Sequence, residues 1–67
     1  MAIFEIYSIE INAKREIEAP DIKDAMFAYL PWPTLDISIA QTEVEGQSLV
    51  VDNRTKFHYK VKLLFNA

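Results

Sequence analysis

The sequence predicts a small α+β domain, an antiparallel sheet of β-α-β-β order with one short helix packed on one face. Three observations lead there. In the stretch Lys56 to Asn66, Phe57, Tyr59, Val61, Leu63 and Phe65 alternate with Lys56, His58, Lys60 and Lys62, the period of a strand with one buried face. Five large apolar side chains in a row need a covering layer, which makes this the expected central strand. Between Pro20 and Pro31, Ile22, Ala25, Met26 and Tyr29 recur at the i, i+3, i+4, i+7 spacing of an amphipathic helix. A chain of 67 residues suffices for one core only, so residues 1–67 are read as a single domain.

From Ile3 to Ala19 the odd positions Ile3, Tyr7, Ile9, Ile11, Ala13, Ile17 and Ala19 are apolar, and Ser8, Glu10, Asn12, Lys14, Glu16 and Glu18 fall between them. That reads as one long strand. At about 3.3 Å per residue it is unusually long, which leaves a bulge, or a hairpin turning at Asn12 to Lys14, as open alternatives. Phe4 and Ile6 interrupt its polar face, and an apolar patch there is a candidate contact with another subunit or partner.

Pro20 fits the first helical position, where its missing N–H costs nothing, and Asp21 and Asp24 put negative charge at the positive end of the helix. Leu30 extends the apolar face and Pro31 stops it. Pro31-Trp32-Pro33 is then a stiff corner, because each proline fixes its own φ and drives the preceding residue toward extended geometry. Leu35, Ile37 and Ile39 alternate with Asp36, Ser38 and Ala40 before the apolar phase shifts to Val44, as a bulge near Ala40 to Thr42 would cause. Gly46, the only glycine, is expected to supply positive φ in a Glu45-Gly46-Gln47 turn. Ser48 to Val51 starts another strand, and Asp52 to Thr55 forms a loop or turn into the last one.

Composition narrows the class. With no Cys and one His, disulfides are excluded and the usual zinc ligand sets are not expected. A domain this size buries only about 60% of its unfolded surface, so self-association is the remaining source of extra stability, and an apolar content of 51% agrees with it. The start, MAIFEIYSIE, has acids where a signal peptide would be basic, and no run approaches the ~18 apolar residues of a membrane span. A soluble, cytoplasmic protein with no membrane partner is expected. The net charge of −3 opposes phosphate-backbone binding, so nucleic acid is not an expected partner.

The last strand is nevertheless basic, with Lys56, His58, Lys60 and Lys62 in a row, while the first segment carries Glu10, Glu16 and Glu18. Opposite charges across adjacent strands contribute about 0.2–1 kcal/mol per pair, so these two segments are expected side by side, with Lys60 and Glu16 coupled. The basic row is also a candidate anion contact, although pairing with the acidic segment already accounts for it. A histidine such as His58 can serve as a general base, but no Ser, Cys or second His stands at a relay spacing, and an ordinary surface histidine is the plainer reading. Trp32, held between prolines and next to Tyr29, is either a plug for the open end of a small core or an exposed stacking group for a partner or planar ligand. Glu16, Glu18, Asp21 and Asp24 divide between a strand face and a helix start, which explains them without a carboxylate pair.

The run Arg15-Glu-Ile-Glu-Ala-Pro-Asp-Ile-Lys-Asp-Ala-Met resembles the strand-to-helix passage of many small β-α-β proteins encoded by phages and mobile elements. Some of that group inhibit host defence, including anti-CRISPR proteins. In length and element order the chain is also similar to the dodecins, flavin-storage proteins that assemble as dodecamers. Trp32 and His58-Tyr59-Lys60-Val61 stand where that family has a flavin-stacking Trp and a His-Tyr-x-Val run, whereas Pro31, Pro33 and the short helix depart from its pattern.

The expectation is a non-enzymatic protein-interaction module without a cofactor. It self-associates and blocks a surface on a host or cognate protein, as a phage-type inhibitor would. The alternative is a dodecin-like flavin- or nucleotide-binding protein using Trp32.

Overall fold

A computed structural model describes residues 1–66. Strands β1 (Ala2–Ser8) and β2 (Ala13–Ala19) precede helix α1 (Ile22–Tyr29), and β3 (Ile37–Gln41), β4 (Gln47–Asp52) and β5 (His58–Asn66) follow. All pairings are antiparallel, in the spatial order β2-β1-β5-β4-β3. The α+β class and the central position of the last strand hold. The β-α-β-β order does not, because the first segment is a hairpin and the order is ββαβββ.

The hairpin turns over Ile9 to Asn12, just before the stretch expected, with Asn12 in the left-handed region at φ 52°. The turn also changes which parity is buried. In β1 the even residues Ala2, Phe4, Ile6 and Ser8 face the helix, opposite Ala19, Ile17, Arg15 and Ala13 of β2. Phe4 and Ile6 are thus core residues rather than an outward patch, and Ile6 has no exposed surface at all.

Asp21 caps α1, its side chain accepting from the Asp24 N–H at 2.9 Å. Pro20 therefore stands outside the helix instead of opening it. At the other end the Leu30 N–H reaches Met26 O at 2.9 Å, and Pro31 prevents a further turn. Ala25 and Met26 are fully buried against the sheet, and Tyr29 meets Tyr59 edge to face at 5.6 Å. Ile6, Met26, Val50 and Val61 form the centre of the core.

In β5, Tyr59, Val61 and Leu63 face the helix side, as the alternation requires. The register then slips: Phe4 lies opposite Leu63 but Ile3 opposite Phe65, so Leu64 is an extra residue. Phe65 follows Ile3 to the other face and is 57% exposed, instead of ending the buried row. Gly46 makes the expected turn at φ 79°. Among the described residues no helix is long and apolar enough to cross a membrane.

Candidate functional site

The Trp32 corner is tied down from within the chain. Its Nε1–H donates to Asp52 Oδ2 at 2.7 Å, and the Arg54 guanidinium stands 5.8 Å from the ring centre, within cation-π range. Arg54 Nη2 also donates to the carbonyl and hydroxyl of Thr34, so the strap after the helix and the turn after β4 hold each other. Asp52 is buried, and burial alone pushes its carboxyl up. Hydrogen bonds from Trp32, the Arg54 N–H and Thr55, with the Arg54 charge, outweigh that and hold its pKa below the ordinary aspartate value. Trp32 and Tyr29 are both half-buried and both already have partners in this chain.

The sheet face away from the helix is uncovered, and the register fixes its rows. One row runs Lys14, Tyr7, Lys60, Leu49; the next runs Glu16, Glu5, Lys62, Gln47. Glu16 and Glu18 lie on β2, one whole strand away from β5, so Lys60 faces Tyr7 and not Glu16. The first segment does lie beside the last strand through β1, which sets Glu5 opposite Lys62, but of Glu10, Glu16 and Glu18 it is Glu10 alone that meets the basic row. Glu10, in the hairpin turn, accepts from the His58 N–H at 2.6 Å and lies 2.9 Å from His58 Nδ1. The backbone hydrogen bond from His58 is the main reason its carboxyl is held below the usual glutamate range.

Glu10 and His58 stand at ion-pair distance, whereas among the described residues no carboxylate oxygen lies within 4 Å of the Lys14, Lys60 or Lys62 ammonium. Lys14, Lys60 and Lys62 border a shallow cleft of about 420 Å³ together with Glu5, Tyr7 and Asn12. The Tyr7 hydroxyl donates to Asn12 Oδ1 at 2.6 Å, which fixes the ring on the floor of the face. Lys56 is not part of this group: it sits in the β4–β5 turn at φ 65°, its N–H bonded to Asp52 O at 2.8 Å. Lys14 and Tyr7 had no place among the candidates read from the sequence. The signal for them was the hairpin register, which sets Lys14 beside Tyr7 and Tyr7 beside Lys60.

A third feature is the outer edge of β3. Thr42 donates to Gln47 O and Asn53 to Asp36 O, so with the observed register Ser38 and Ala40 bond β4. Ile37, Ile39 and Gln41 consequently turn their N–H and C=O groups outward. β3 carries no charge, whereas β2, at the opposite edge, carries Lys14, Arg15, Glu16 and Glu18. The described residues contain no group of three or more acids and histidines able to hold a metal ion. No family model matches the chain, and no curated protein or solved structure matches it significantly.

Proposed function

We propose that this chain is a small non-enzymatic interaction module whose β3 edge pairs with the β3 of a second copy. The observation that carries the reading is the charge-free, open edge of Ile37–Gln41. Edge strands are ordinarily guarded by charge, proline or a bulge, and this one has none within it. An antiparallel pairing centred on Ile39 sets Ile39 opposite itself and Ile37 opposite Gln41, and makes about six new backbone hydrogen bonds. The same operation at β2 would bring Glu16 against Glu16, which like charge opposes. A thin core gives association something to add, since among the described residues only ten hydrophobic ones are buried.

In this reading the paired module acts in the cytoplasm by covering a surface of another protein. The resemblance to small phage-encoded inhibitors makes a host protein the expected target.

The test is sedimentation equilibrium over a wide concentration range, on the wild type, Ile39→Pro and Ala40→Lys. Ile39→Pro removes an outward N–H without touching a β3–β4 bond, and Ala40→Lys adds charge beside the two-fold axis. A reversible wild-type dimer and two monomeric variants with unchanged circular dichroism are expected. A wild type that stays monomeric at the highest concentration, or variants that dimerise as well as it does, overturns the proposal.

A further inference from the structure

We infer that the uncovered sheet face holds a binding site for a small phosphorylated ligand with a planar group, of mononucleotide size. The phosphate would be met by Lys14, Lys60 and Lys62, and the planar group by the ring of Tyr7. This rests on the cleft alone and does not depend on the β3 edge.

The first argument is electrostatic. Three ammonium groups border one cleft, none within 4 Å of a carboxylate oxygen although Glu5 stands opposite Lys62 in the register, and the chain as a whole carries −3. Lys14 and Lys60 flank Tyr7 in one row, two strand spacings or about 10 Å apart, and Lys62 follows Lys60 on the same face at about 7 Å. Lysine side chains are long enough to converge from those positions on one tetrahedral anion. Lysine binds phosphate as a compact point charge and needs no bidentate geometry.

The second argument is chemical variety. A bare anion site has no use for Glu5, which stands between Glu16 and Lys62 in the adjoining row. A carboxylate there repels phosphate but accepts hydrogen bonds from hydroxyl or amino groups, and Asn12 offers a further polar group at the rim. Tyr7 is half-buried with its hydroxyl already bonded to Asn12, so its ring is held in place and loses little freedom on stacking. The cleft volume, about 420 Å³, falls within the range of small-ligand sites. Charge, aromatic surface and acceptors in one recess match a sugar phosphate bearing a flat base better than inorganic phosphate or an uncharged nucleoside.

The experiment follows backbone amide shifts on the intact chain at low salt during titration with adenosine monophosphate, inorganic phosphate and adenosine. Saturable shifts centred on Tyr7, Lys14, Lys60 and Lys62 are expected with the nucleotide, with weaker binding of the other two. Lys60→Gln should weaken the nucleotide about tenfold or more, the worth of a charge-assisted hydrogen bond. Tyr7→Leu should weaken the nucleotide but leave phosphate unchanged. These substitutions are on an exposed face, and an unchanged amide spectrum elsewhere verifies that each variant is folded. The inference is overturned by any of three outcomes: no saturable shift with the nucleotide, equal binding by Lys14→Gln/Lys60→Gln/Lys62→Gln, or inorganic phosphate binding as tightly as the nucleotide.

Discussion

Replacing Trp32 by Phe removes one hydrogen-bond donor and leaves most of the ring area in place. The carboxylate it served, Asp52, is buried and keeps only its bonds from the following turn. A hydrogen bond to a charged group contributes about 1.5–3 kcal/mol. Adding roughly 0.5 kcal/mol for apolar area lost from a half-exposed indole, the expected destabilisation is about 2–3.5 kcal/mol. Domains of this size have a total stability of roughly 3–10 kcal/mol, so the loss is a large share of it. Urea unfolding followed by circular dichroism should show the midpoint falling by about 2–3.5 M at an unchanged slope near 1 kcal/mol per M. Thermal unfolding should drop by roughly 15 °C.

The same contact makes a prediction about pH. The folded-state pKa of Asp52 is depressed, so its stabilising contribution is present above the unfolded value of about 3.9 and is lost as pH falls through the folded one. The gap between wild type and variant should therefore be full at neutral pH and shrink below about pH 4. A double-mutant cycle with Asp52→Asn should return a coupling of at least 1 kcal/mol or so. A destabilisation under about 0.5 kcal/mol, or a coupling near zero, would refute the claim that this pair holds the strap in place.

Two further outcomes follow from burial and register. Ser8 Oγ is buried without a partner, so Ser8→Ala should be neutral or stabilising by about 1 kcal/mol, read as a higher urea midpoint; a clear loss would show that the hydroxyl does bond something. Charge reversal at Glu5 and Lys62, register neighbours, should couple by about 0.2–1 kcal/mol in a cycle, whereas the pair Glu16 and Lys60 should give none; the opposite ranking would move β2 beside β5.

Where the sequence was informative, one physical cause dominated the position. The row through Tyr59 and Val61 had lysines on the other parity, so only one face was available for the core. Gly46 was the one residue free of a Cβ, and Pro31 could not extend a helix, so both breaks were readable. The first strand was different. Both faces of β1 are largely apolar, with Ile3 and Tyr7 on one and Phe4 and Ile6 on the other, and alternation cannot choose between them. Parity carried back from Ile17 and Ala19 of β2 gave the wrong face, because the intervening turn resets the phase. The Leu64 slip left no mark either, since Leu63, Leu64 and Phe65 are all apolar. The basic face was half legible: Lys60 and Lys62 stood out, but their neighbours Lys14 and Tyr7 depended on a turn placed within a residue or two.

β5 is the strand that joins the two halves of the sheet, with the β1–β2 hairpin on one flank and the β3–β4 hairpin on the other. A ribosome delivers it after both. Until then the sheet can form only as two separate hairpins, each marginal alone in water, and the pairing of β1 with β5, the longest in sequence separation, waits for that segment. During that interval any extended peptide with alternating apolar side chains competes for the place of β5. Chaperone demand and proteolytic loss should accordingly be governed by how quickly the closing segment arrives.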